Sequence, residues 1–81
     1  MRMSAIPLAE AVEKARRAID EARWSEAKAI VEAVRSAAPE AATTQLLWGR
    51  ILLEEDAEAA ERVLLRAIEI DPEDAEVWAL L

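Results

Sequence analysis

Residues 41–73, AATTQLLWGRILLEEDAEAAERVLLRAIEIDPE, carry the pattern that decides the fold. Two helical runs stand in it, the first ending near Glu55 and the second starting at Asp56, a side chain suited to capping a helix N-terminus. Asp71-Pro72-Glu73-Asp74 closes the stretch and reads as a fresh helix start: a capping Asp, Pro in first position and acids near the positive end of the helix dipole. The same punctuation stands upstream. Ala27 and Pro39 are 12 residues apart, as are Ala60 and Pro72, and the two pairs are offset by 33. Glu40 and Glu73, Ala42 and Ala75, and Leu47 and Leu80 match at that offset. Towards the N-terminus the offset becomes 34: Arg16 matches Arg50, Ile19 resembles Leu53, and Asp20-Glu21 resembles Glu54-Glu55. The slip falls where Ala22-Arg23-Trp24 faces the shorter Asp56-Ala57, a turn, where an extra residue disturbs no packing.

Working outward, the spacing predicts five helices. The first covers about 7–22, with Pro7 in the first turn, where a proline costs no hydrogen bond. The second is N-capped by Ser25 and runs to Ala37; Ala38-Pro39-Glu40 ends it and starts a third, which reaches Glu55. The fourth runs from Asp56 to Ile70, and the fifth has barely begun at Leu81. Connections this short force consecutive helices to lie side by side and antiparallel. Composition agrees. Phe and Tyr are absent, Gly occurs once, and alanine supplies much of the 54% apolar share, an inventory for helix and against sheet. At 81 residues there is room for one small domain.

A helix-turn-helix unit recurring every 33 to 34 residues resembles the tetratricopeptide repeat. Gln45, Trp48-Gly49, Leu52, Ala60, Leu64 and Pro72 occupy the pattern's places in the second unit. In the first they are Ala11, Lys14-Ala15, Ala18, Ala27, Val31 and Pro39, and Trp78 and Leu81 open a third. The resemblance implies an all-α domain of antiparallel helix-turn-helix repeats stacked as a short right-handed solenoid of about two and a half repeats: one at about 8–40, one at about 41–73, and a partial repeat or capping helix at 74–81. Gly49 and Ala15 fall where the two helices of a unit cross, opposite Ala60 and Ala27, and small residues there let the backbones approach. Lys14 stands where the second unit has Trp48, and no unit precedes it, so it is expected to face water.

Catalysis finds no footing. Without His, Cys or Tyr the usual nucleophile–base pairs and zinc ligands are missing, and Ser4, Ser25, Ser36, Thr43 and Thr44 have no candidate base beside them. One glycine cannot build a phosphate-cradling loop, and Asp71-Pro72-Glu73-Asp74 lacks the glycine and terminal Glu of a calcium loop. No enzyme activity, cofactor or metal is expected. The net charge of −7 opposes binding to nucleic acid and to anionic membranes. The longest uncharged run, 41–49, is too short to span a bilayer, and the first seven residues lack the apolar centre of a secretory signal, which leaves the cytoplasm as the default location.

Binding remains. Val12, Arg16 and Ile19 form one stripe on the first helix, and Leu46, Arg50 and Leu53 repeat its chemistry on the third. The resemblance implies that these stripes line a concave groove that holds a partner peptide or protein, with Thr43, Glu76 and Ala79 extending it. A guanidinium there suits an acidic group of the partner. The alternative for Arg16 and Arg50 is pairing with the acids four residues on, Asp20 and Glu54. A second functional reading is homo-oligomerisation: no further helix follows the fifth, so Val63, Ile70, Trp78, Leu80 and Leu81 are expected to stay bare and drive dimer formation.

Overall fold

Helices α1 (Leu8–Asp20), α2 (Trp24–Ala37), α3 (Ala42–Leu52), α4 (Ala57–Ile70) and α5 (Ala75–Leu80) make up the computed structural model, which describes residues 7–81. Ser4 and the segment read for a secretory signal, apart from Pro7, lie outside the described residues. Among the described residues no strand occurs. α1 packs on α2 and α3 on α4 as antiparallel pairs, α3 packs on both helices of the first pair, and α5 packs on α4. The architecture is a short all-α solenoid of helix-turn-helix repeats.

Burial reproduces the sequence register. Ala27, Val31 and Val34 of α2 are at most 1% exposed, and so are Ala60, Leu64 and Ala67 of α4, their matches at an offset of 33. These residues sit three and four apart, one stripe of a helix turned inward. The first core joins α1, α2 and α3 through Ala15, Ala18, Ile19, Ala27, Val31, Leu47 and Ile51, with Trp24 and Trp48 packed at its edge. The second joins α3, α4 and α5 through Leu46, Leu64, Ala67 and Val77. On α1, Glu10, Glu13, Lys14 and Arg17 are all exposed, whereas their matches on α3 at an offset of 34 are Thr44, Leu47, Trp48 and Ile51, buried or half-buried. α3 needs an apolar face there because α1 and α2 cover it; α1 has no such neighbour among the described helices.

Gly49 marks the closest approach within the second pair. A Cβ on Gly49 would lie 2.6 Å from Leu64 Cδ2 and 2.8 Å from Leu64 Cγ. The side chain over the glycine is therefore Leu64, one turn along α4 from the fully buried Ala60. Leu64 is itself packed on all sides, at 1% exposure, and has little room to withdraw.

The helix boundaries correct three sequence expectations. α2 begins at Trp24, with Arg23 in the capping position and no side-chain cap, so Ser25 lies inside the first turn instead of capping it. The reason is a tight stop at the end of α1. Ala22 takes a left-handed φ of 58°, its N–H bonds the Ile19 carbonyl at 3.0 Å, and the Arg23 N–H bonds the Ala18 carbonyl at 2.8 Å. This pair of bonds is the Schellman stop, which uses up the residues that would have separated Ser25 from the chain before it. Arg23 hydrogen-bonds Glu26 and Glu21, and the bond to Glu26 above all holds its guanidinium above the ordinary value.

Second, Pro39 and Pro72 do not open helices: α3 starts at Ala42 and α5 at Ala75. Asp74 caps α5 by accepting from the Glu76 N–H at 3.0 Å, while Asp71 bonds the Glu73 N–H at 3.2 Å within the turn. Each proline carbonyl instead accepts from the side chain six residues on, Gln45 Nε2 at 2.7 Å in one case and Trp78 Nε1 at 2.8 Å in the other. Third, α3 ends at Leu52 and residues 53–55 form a turn. Asp56 caps α4 as expected, accepting from the Ala59 N–H at 3.1 Å.

Two substitutions test this packing. Gly49→Leu is expected to overpack the crossing and to lower stability by about 1–3 kcal/mol in thermal or denaturant unfolding; an unchanged transition would mean that α3 and α4 do not cross there. Ala22→Gly removes the Cβ penalty of a left-handed residue and is expected to raise stability by about 1 kcal/mol, measured the same way.

Candidate functional site

α3 carries one charged side chain, Arg50, because most of its circumference is taken by the two cores. Arg50 emerges on the side left open, where α1, α3 and α5 lie next to one another. Arg16 emerges on the same side from the middle of α1, four residues before Asp20. Glu76 reaches it from the first turn of α5.

These groups join in a line of alternating charge. Arg16 Nη1 donates to both carboxylate oxygens of Glu76, at 3.1 and 2.9 Å. Arg50 Nη1 lies 3.9 Å from the Glu76 Oε2, and Arg50 Nη2 donates to Asp20 Oδ1 at 2.6 Å. One carboxylate thus stands between two guanidiniums that come from different units. The guanidiniums are the less accessible members, with 31% of the Arg16 side chain and 22% of Arg50 exposed against 43% for Glu76 and 63% for Asp20. Both arginines do pair with acids of the chain, as the alternative reading had it, but across helices: Arg16 bonds Glu76, 60 residues away, and Arg50 bonds Asp20 of α1 instead of its own neighbour Glu54.

Hollows flank the charged line. One, of about 410 Å³, is lined by Ile19, Asp20, Trp24, Arg50, Leu53 and Leu80. The other, of about 370 Å³, is lined by Leu8, Ala9, Val12, Val34, Ala41 and Thr43 among others. Five of the seven residues expected to line a groove therefore reach this surface: Val12, Arg16, Thr43 and Arg50 half-buried, and Leu53 exposed. Ile19, at 5% exposure, forms the floor of the first hollow, and Leu46, at 1%, is hidden in the second core under Val77. The stripe is wide enough that its inner edge belongs to the helix seam, and α5 closes over Leu46.

The apolar residues expected at a bare C-terminal face divide. Ile70, Trp78 and Leu81 are exposed, whereas Val63 is half-buried and Leu80 packs against the second core. Leu65, which no spacing argument singled out, is 48% exposed. Another hollow, of about 510 Å³, lies between α1 and α2 and is lined by Leu8, Ala11, Ala29, Ile30, Ala33, Val34 and Ala37. The run Ala29, Ala33, Ala37 at four-residue intervals was the legible trace of that face. Among the described residues no cluster of acids could hold a metal ion, and no helix is long and apolar enough to cross a membrane.

A sequence family described as the tetratricopeptide repeat matches residues 18–81. No curated protein and no solved structure gives a match.

The cross-helix pairing has a direct test. A double-mutant cycle of Asp20→Ala and Arg50→Ala, read by denaturant unfolding, is expected to give a coupling of about 0.2–1 kcal/mol, the range for exposed ion pairs. The same cycle between Glu54 and Arg50 is expected to give none.

Proposed function

The chain belongs to the tetratricopeptide repeat family, whose repeats are generally protein–protein interaction modules, and we propose that it holds a partner polypeptide along the α1–α3–α5 side, with Arg16 and Arg50 recognising an acidic group. One observation carries the reading. Two guanidiniums from separate units converge on a single carboxylate position, with Glu76 Oε2 at 2.9 Å from one and 3.9 Å from the other. Planar, permanently charged guanidiniums favour carboxylates at such a position, from an acidic side chain or a chain terminus. The hollows on either side offer Val12, Leu53 and the floor formed by Ile19 to apolar side chains of an extended peptide. Charge would set orientation and apolar contact most of the affinity, since half-exposed ion pairs contribute little on their own.

Peptides selected on the immobilised domain from a random library with free C-termini supply the test. The selected sequences are expected to bear an acidic group, and Arg16→Ala with Arg50→Ala is expected to weaken them by about tenfold at low salt. Raising the salt should weaken the unaltered domain in the same direction. Peptides that bind the double variant with unaltered affinity would move the binding surface elsewhere, while Leu65→Ala, an exposed position on α4 outside both hollows, should leave affinity unchanged.

A further inference from the structure

We propose that Glu76 is an internal competitor for the partner's carboxylate: α5 closes the Arg16–Arg50 receptor in cis, and an acidic peptide binds by displacing Glu76. The inference rests on the groove reading above and adds what controls it. Arg16, Glu76, Arg50 and Asp20 form a set with two charges of each sign, so these four side chains are neutral together, with Glu54 on the wall of the adjoining hollow. Arg50 keeps Asp20 as a partner whatever Glu76 does. Among the described residues Glu76 is the one carboxylate paired with Arg16, so its removal is what uncovers a cation.

The carboxylate is also placed to leave. It sits on a helix of six residues, below the length at which a helix holds itself in water, and α5 is anchored from beneath by Val77 and Leu80, not by Glu76. The Glu76 side chain is 43% exposed and can rotate into solvent without disturbing that anchor. An incoming carboxylate regains the same charge-assisted hydrogen bonds, and its peptide adds contacts in the hollow lined by Ile19, Trp24, Leu53 and Leu80, which Glu76 does not make. The exchange therefore favours an acid that arrives with an apolar neighbour over a free anion.

The experiment is an NMR titration of the whole chain with acetyl-Ala-Leu-Ala-Leu as the free acid and as its C-terminal amide, followed at the Nε–Hε signals of Arg16 and Arg50. The wild type is compared with Glu76→Gln, and with Glu73→Gln, which removes the same charge from the adjoining turn, where Glu73 makes no ion pair among the described residues. Glu76→Gln is expected to take up the free acid at about three- to fivefold lower concentration than the wild type, the effect of one exposed ion pair removed. Glu73→Gln is expected to follow the wild type, and the amide to leave both arginine signals in place. Equal half-saturation in wild type and Glu76→Gln overturns the competition and leaves the groove reading intact. Arginine signals that move in neither protein overturn both.

Discussion

α3 must be buried on two sides at once, and the rest of the structure answers to that. Leu47 and Ile51 belong to the core shared with α1 and α2, while Leu46 and Gly49 face α4 and α5. A helix so enclosed has to be apolar nearly all round, and its sequence, ATTQLLWGRIL, has a single charge. That charge can go only to the remaining open side. The position of Arg50, and with it the centre of the candidate site, follows from packing before any partner is considered.

The double burial also dictates how the units meet. α4 can come close enough to α3 only because Gly49 has no side chain to oppose Leu64. The turns before α3 and α5 are then set by one repeated device, a side-chain donor on the new helix held by the carbonyl of the preceding proline. Gln45 and Trp78 differ in almost every chemical respect, but each presents an N–H at the same distance along the chain. The repeat is thus conserved between the two units as a hydrogen bond, not as a residue type.

Charge plays a different part. Ion pairs tie elements that are not neighbours along the chain: Lys28 to Glu55, Arg66 to Glu40, Arg50 to Asp20 and Arg16 to Glu76. Arg35 lies over the ring of Trp48, 4.3 Å from its centre. All are at least partly exposed, so each contributes at most about 1 kcal/mol, and the two cores remain the source of stability. What the pairs do is fix which cations are engaged. With a net charge of −7, the two guanidiniums on the open side are the feature of that surface that runs against the sign of the whole chain.

The sequence alone determined the five helices, the 33- to 34-residue register, the small residues at the crossings and the absence of His, Cys and Tyr chemistry. These are legible because helix period, capping and composition depend on residues a few positions apart. It also placed Arg16 and Arg50 on equivalent faces, since the register alone implies that. Only the tertiary structure decided which acids they meet. Arg16 finds Glu76 at a separation of 60 residues and Arg50 finds Asp20 at 30, distances over which no local pattern operates. The same holds for Ile19 and Leu46, whose stripe was readable but whose burial depends on how far the neighbouring helices wrap around them. Ser25 and the two prolines lost their expected places to the Schellman stop and to the proline carbonyl bonds, because a turn's geometry is settled by the pair of helices that it must join.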